Sequence, residues 1–126
     1  MRALEFQRWL QYAYEDLITA EKMLANQAAF PRHICWLAQQ SAEKTLKAAL
    51  LHLNIDFPFT HDLDRLQNLL PKNLQDAITN VDLSELTEWA VEARYPGNYP
   101  DILYSDAQRA AKQARILYNT LENMLK

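Results

Sequence analysis

A single glycine, Gly97, occurs in this chain of 126 residues. Glycine usually makes up about 7% of a protein sequence. Its scarcity, together with abundant Ala, Leu, Gln, Glu and Lys, favours helices over sheets. Gly97 lies in the loop 95–100, which also holds two of the five prolines. No strand-like alternation and no internal repeat occurs elsewhere, so the sequence predicts an all-α protein.

Apolar residues recur at three- and four-residue steps along most of the chain, as on one face of a helix. Pro31 suits the start of a helix, whereas Pro58 and Pro71 interrupt helical stretches. We therefore predict an antiparallel four- to five-helix bundle, a single domain over residues 1–126. The predicted helices run from Glu5 to Ala28, Pro31 to Asn54, His61 (capped by Thr60) to Leu70, Asp82 to Arg94, and from a cap at Ser105 to near the end, with about one turn over Leu74 to Thr79.

Composition limits the classes of function. The formal charge of −3 argues against a generally basic nucleic-acid coat, although a local basic groove is compatible with it. Cys35 is the only cysteine, and its apolar neighbours favour a buried, inert thiol. With one cysteine and scattered histidines we expect no disulfide, no metal site and no cofactor, and a cytoplasmic location. No run of about 20 apolar residues predicts a membrane span.

Two segments carry a family resemblance. The segment 39–44 reads Gln-Gln-Ser-Ala-Glu-Lys, and 94–96 reads Arg-Tyr-Pro, with His61-Asp62-Leu63 between them and an amphipathic first helix before them. In this order and spacing they resemble the HEPN domain, a small helical domain. The resemblance covers nearly the whole chain.

The resemblance implies a helical bundle that forms a homodimer. Many relatives act beside a small nucleotidyltransferase in a toxin–antitoxin-like pair, and some are metal-independent ribonucleases. The ribonuclease motif of the family is an arginine, four to six further residues and a histidine, and the motifs of two protomers meet in the dimer cleft.

Arg94 matches the arginine of that motif, but no histidine follows at the permitted positions, which hold Tyr99, Pro100 and Asp101. RNA cleavage needs a proton acceptor whose pKa is near neutral pH and a cation that stabilises the negative charge on the phosphate. The ordinary pKa of tyrosine, about 10, makes it a poor base at neutral pH. We therefore predict a non-catalytic protein, and an endoribonuclease toxin is the alternative. His61, oriented by Asp62, is the candidate replacement base; otherwise it belongs to a helix cap.

The predicted nucleotide- or RNA-binding residues lie on the second helix, at His61 and around the loop 95–100 with Arg94 before it, which we call the hinge. Arg94 suits a phosphate, or alternatively an ion pair with a carboxylate. Gln40, Glu43, Lys44 and Lys47 form a polar strip that is either a solvated helix face or one wall of a cleft shared with Arg94. The hinge tyrosines stack on a base, anchor the loop or, as the family resemblance implies for some members, accept nucleotidyl groups from a partner enzyme. The predicted binding residues are Arg94, Tyr95, Tyr99, Lys44, Lys47 and His61.

Overall fold

The computed structural model describes residues 2–27, 29–89 and 101–126, and these ranges form six helices and no strand. The all-α prediction is confirmed. Three helices are long and three are short. They are α1 Arg2–Asn26, α2 Pro31–His52, α3 Leu63–Gln67, α4 Lys72–Ala77, α5 Leu83–Thr87 and α6 Tyr104–Met124.

The long helices α1 and α2 form an antiparallel pair. Gln27, at φ 50°, ends α1 in the left-handed region, and a short connection leads to Pro31 at the start of α2. Phe6 lies near the start of α1 and His52 at the end of α2, and their ring centroids are 4.5 Å apart. Ser41 Oγ donates a 2.8 Å hydrogen bond to the Ala13 carbonyl halfway along. The small Ala13 and Ser41 let the two backbones approach closely there.

The last helix, α6, completes the bundle by packing on both α1 and α2. It runs antiparallel to α1: Tyr104 Oη donates to the carbonyl of Ala29 just beyond the end of α1, and Arg115 Nε donates to Glu21 further back. A hydrogen bond to Glu21 raises the pKa of Arg115. These contacts fix the position of α6 along the other two long helices.

The core is one apolar cluster with α2 at its centre. Fourteen of the 22 residues of α2 are buried, so this helix is surrounded on most sides. Leu17, Leu46 and Leu117 are fully buried contributions from the three long helices. Burial of one leucine side chain stabilises a fold by about 1.5–3 kcal/mol. The short helices add Leu63, Leu66, Leu74 and Leu86 to the same cluster.

The second helix ends two residues before the predicted Asn54. Asn54 adopts φ 59°, the left-handed conformation that terminates helices. Its N–H donates to the Leu51 carbonyl, and the N–H of Ile55 donates to that of Leu50. These two bonds define a Schellman motif, which supplies partners for carbonyls that the helix leaves unpaired.

The third helix is shorter than the predicted His61–Leu70. Asp62, rather than Thr60, caps it: the Asp62 carboxylate accepts from the backbone N–H groups of Asp64 and Arg65. His61 therefore lies outside the helix, and its ring bonds to Glu43 of α2. At the other end, the N–H of Leu70 donates to Gln67, a tight turn that does not continue the helix.

The remaining boundaries also differ in detail. Asp82 caps α5 as predicted, accepting from the Glu85 N–H at 3.0 Å, but α5 ends at Thr87; the predicted continuation over 90–94 lies outside the described residues. The turn predicted from Leu74 is the helix α4, which begins directly after Pro71. The last helix begins before Ser105, since Asp106 accepts from the Leu103 N–H. No helix in the described ranges combines the length and apolar character that crossing a bilayer needs.

Candidate functional site

Four polar side chains converge between α2 and the segment that precedes α3. Glu43 accepts hydrogen bonds from Lys47 Nζ at 2.9 Å and from Gln39 Nε2 at 3.1 Å. Its Oε1 also lies 2.8 Å from Nδ1 of His61. We call Gln39, Glu43, Lys47 and His61 the Glu43 cluster.

The helical repeat explains half of this arrangement. Gln39, Glu43 and Lys47 are four residues apart along α2, a spacing that places successive side chains on one row. The chain then leaves α2 at the Schellman motif and returns in an extended segment that carries His61 back to Glu43. Asp62 caps α3, so His61 lies immediately before the cap and outside the helix.

The cluster is largely buried. The relative exposures of Glu43 and Lys47 are 6% and 5%, and Gln39 has none. The interpretation of the polar strip as a solvated helix face is therefore wrong for Glu43 and Lys47. The side chain of His61 is 35% exposed, so it connects the buried charges with the surface.

Glu43 carries a negative charge at neutral pH despite its burial. Burial alone would raise the pKa of this carboxyl, but hydrogen bonds from Lys47, His61 and Gln39 together lower it below its ordinary value. An ionised carboxylate only accepts hydrogen bonds. Nδ1 of His61 must therefore carry the proton that it shares with Glu43. In the neutral ring Nε2 is then the acceptor nitrogen.

Aromatic rings surround the ammonium group of Lys47. Its Nζ lies 5.7 Å from the ring centroids of Trp9 and Phe59 and 5.8 Å from that of Phe57. Such distances allow cation–π attraction, which strengthens where water is excluded. Phe59 is itself 90% exposed and meets the His61 ring edge-on at 5.7 Å. An exposed ring thus stands beside the partly exposed imidazole.

Lys44 belongs to a different side of α2. Its Nζ lies 2.6 Å from Oδ2 of Asp16 on α1, and its side chain is 26% exposed. It lines a surface groove rather than the Glu43 cluster. Of the binding residues predicted from sequence, the structure brings Lys47 and His61 together and places Lys44 apart. Arg94, Tyr95 and Tyr99 lie outside the described residues.

Sequence reasoning misses three features of this region. Gln39 is absent from the predicted polar strip, although its spacing of four residues from Glu43 signals a shared row. Of the two interpretations of His61-Asp62, the helix cap is confirmed for Asp62, whose carboxylate accepts from backbone N–H groups of α3, and Glu43 rather than Asp62 orients His61. Phe59 carries no sequence signal beyond its nearness to His61. Within the described ranges, no group of three or more His, Cys, Asp or Glu residues could hold a metal ion.

Comparison with protein families gives a match to the HEPN domain over residues 6–124. This chain therefore belongs to the HEPN domain family, since the match covers nearly all of it. Comparison with curated proteins gave no match.

Solved structures share the fold. ST0689, an archaeal HEPN homologue, superposes with a TM-score of 0.71 at 22% identity, covering 96% of this chain and 98% of the other. TT1696 from Thermus thermophilus superposes with a TM-score of 0.70, also at 22% identity, covering 94% and 96%. At this identity the similarity establishes a common fold over nearly the full length of these proteins.

Proposed function

We propose that this HEPN domain is a non-catalytic homodimer that binds a nucleotide or an RNA phosphate and acts with a nucleotidyltransferase partner in a toxin–antitoxin-like system. The observation that carries the binding proposal is the convergence of Lys47 and His61 on the buried carboxylate of Glu43. Two of the residues predicted for phosphate binding thus belong to one hydrogen-bonded unit.

Stability alone accounts poorly for this unit. A buried ion pair is often no more stabilising than apolar side chains of similar volume, because both charges lose their hydration. α2 is otherwise rich in Ala and Leu, and the Glu43 cluster interrupts its apolar surface. A charged pair, an amide and an imidazole at one point are more typical of a functional site than of an apolar core.

The cluster supplies an oriented imidazole at the protein surface. In the proposal Nε2 of His61, the acceptor nitrogen of the neutral ring, accepts a hydrogen bond from a ribose hydroxyl, and the exposed ring of Phe59 stacks with a base. Lys47 acts through Glu43, because its ammonium is 2.9 Å from that carboxylate and its side chain is only 6% exposed. Arg94, Tyr95 and Tyr99 complete the proposed site.

The dimer proposal draws support from exposed apolar residues at one end of the bundle. Phe30 and Leu103 are 73% and 60% exposed, and the hydrogen bond between Ala29 and Tyr104 ties their neighbours together. Trp36 is 37% exposed on α2. Apolar residues grouped at a surface favour association, and a two-fold dimer is the commonest form.

Calorimetric titration with nucleoside monophosphates and a short RNA tests the binding proposal. We expect Arg94→Ala to weaken binding by about 1.5–3 kcal/mol, as for a charged contact to phosphate, and His61→Ala by about 0.5–1.5 kcal/mol, as for a neutral hydrogen bond. His33→Ala is the matched control, because His33 is an exposed histidine on the same bundle. If Arg94→Ala instead loses several kcal/mol of folding stability with unchanged binding, Arg94 is a structural ion. Co-purification with a nucleotidyltransferase tests the partner.

One observation favours the ribonuclease alternative. Glu43 holds Nδ1 of His61, which makes Nε2 the acceptor of the neutral ring, as a general base requires. RNA cleavage in EDTA that is lost in both His61→Ala and Arg94→Ala, with the fold intact, would establish this second function. The non-catalytic proposal predicts no efficient cleavage by the purified protein, because no histidine follows Arg94 at the motif positions.

A further inference from the structure

A groove of about 380 Å³ lies along α1, next to Lys44 of α2. Small-molecule sites have volumes of roughly 300–1,000 Å³. The groove is at the lower end of that range, which suits a single nucleotide better than a larger ligand. Its lining residues combine two cations, one carboxylate and two aromatic rings: Arg8, Lys44, Glu5, Trp9 and Tyr12.

The cations of the groove suit a phosphate group. Arg8 is exposed and has no ion-pair partner among the residues that the structure describes. Its planar guanidinium matches the geometry of phosphate oxygens, with two parallel donors. Lys44 adds a second ammonium, which is anchored by Asp16 at 2.6 Å and remains 26% exposed. An anion at the groove would therefore meet one unpaired and one partly neutralised cation, and its place is at Arg8 and Lys44, away from the Glu5 carboxylate that also lines the groove.

The aromatic residues suit a base. Tyr12 is 48% exposed, and its ring lines the groove one helical turn from Trp9. Base–aromatic stacking contributes about 1–3 kcal/mol for each base. Glu5, at the same groove, can accept hydrogen bonds from ribose hydroxyls or from the amino group of a base.

We infer that this groove binds one nucleoside monophosphate unit, with its phosphate at Arg8 and Lys44 and its base on Tyr12. The inference rests on the proposed function for the class of ligand, but it assigns a second site. The groove adjoins the Glu43 cluster through Trp9, whose ring lines the groove and lies 5.7 Å from Lys47 Nζ. A free nucleotide and a nucleotide within an RNA strand present the same chemistry to the groove.

The test compares two groove variants with two matched controls. Arg8→Ala and Tyr12→Leu change the groove. Arg32→Ala removes an exposed arginine near the start of α2, about 18 Å along the helix from Lys44. Tyr14→Leu removes a tyrosine of α1 that is 39% exposed and does not line the groove.

Each protein is titrated by calorimetry with AMP, with UMP and with a single-stranded RNA hexamer at one fixed salt concentration, and circular dichroism checks the fold. We expect Arg8→Ala to weaken binding by about tenfold to a hundredfold and Tyr12→Leu by at least about fivefold, with both controls unchanged. Weakening for the mononucleotides as well as the hexamer indicates a free nucleotide as a ligand. Weakening for the hexamer alone indicates a unit within an RNA strand.

The outcomes separate this inference from the proposed function. Binding that depends on His61 but is unchanged in Arg8→Ala and Tyr12→Leu overturns the groove and leaves the proposed function standing. Binding that depends on Arg8 and Tyr12 but not on His61 supports the groove and overturns the Glu43 cluster as the binding centre. A protein that binds none of AMP, UMP and the hexamer overturns both.

Discussion

Glu43 accepts hydrogen bonds from three side chains, two on its own helix and one from the segment before α3. A buried carboxylate loses its hydration and needs these partners in exchange. Because Lys47 supplies the opposite charge, the pair is neutral as a unit. Substitution of only one of the two residues would leave the other charged and poorly hydrated. This costs more folding free energy than replacing both residues with apolar ones.

We predict that Lys47→Met destabilises the fold by about 3 kcal/mol, at the low end of the range for a broken buried pair because Gln39 and His61 still bond to Glu43. Lys72→Met is the matched control. Lys72 and Asp76 form an i,i+4 pair at the same 2.9 Å distance, but their side chains are 84% and 59% exposed. Urea unfolding should show a change below about 0.5 kcal/mol for the control. Equal effects of the two substitutions would contradict the burial argument.

The lowered pKa of Glu43 gives a second prediction. Its ordinary pKa is 4.5, and partners in the folded state lower it. The stabilisation is thus fully present above about pH 4.5 and is lost as the pH falls through the lower folded pKa. We expect the unfolding free energy of the wild type to fall on acidification in this window, and that of Glu43→Gln to fall less. Parallel curves for the two proteins, measured by urea unfolding from pH 7 to 3, would disprove it.

Residue spacing predicts a polar row on α2 but not its surroundings. Lys44 and Lys47 are close in sequence, yet one lies on a groove and the other is enclosed by three rings. The difference depends on the extended segment that brings Phe57, Phe59 and His61 back over α2. Such a long-range return has no periodic signal in the sequence.

At the scale of elements, the long helices can be predicted from the sequence, because the strong helical period of apolar residues and the single glycine disfavour other secondary structure. The residues at which these helices end are predicted less accurately. α2 ends at His52, two residues before the predicted Asn54, which adopts the left-handed conformation, and α3 begins at Leu63, two residues after the predicted His61. The start of α3 is set by the Asp62 cap, which leaves His61 outside the helix, where its ring bonds to Glu43.

The end of α2 provides a prediction at this scale. Asn54 adopts φ 59°, where a side chain with a Cβ is costly unless it is asparagine or aspartate. We expect Asn54→Ala to lower the unfolding free energy by about 1 kcal/mol and Asn54→Gly to leave it unchanged or slightly higher. Thermal unfolding of the two variants measures this. Equal stability of the alanine and glycine variants would show that the Schellman motif does not constrain this position.

At the scale of the whole molecule, the all-α fold and its family follow from the sequence, and the ligand does not. The apolar pattern fixes three long helices and their shared core. The proposed site combines a buried charge, an exposed ring and a hinge arginine that are far apart in the sequence. Only the folded chain shows that Glu43 rather than Asp62 orients His61.

Oligomeric state is a prediction for the whole molecule. We expect light scattering to give twice the chain mass of 14.7 kDa at micromolar concentration. Phe30→Glu should weaken the dimer, because it places a charge among the exposed apolar residues at that end. Leu69→Glu is the control, since Leu69 is 36% exposed on another part of the bundle. A wild-type protein of monomer mass would contradict the prediction.

The most direct test of the central claim is a histidine ring NMR titration with a short single-stranded RNA. The chain has three histidines, so His33 and His52 serve as internal controls for His61. We predict saturable shifts of the ring nitrogens of His61 with little change at the other two, and loss of the response in Glu43→Gln if the fold is intact. RNA binding that leaves the His61 ring unshifted would contradict the account, because the Glu43 cluster would then not be the binding centre.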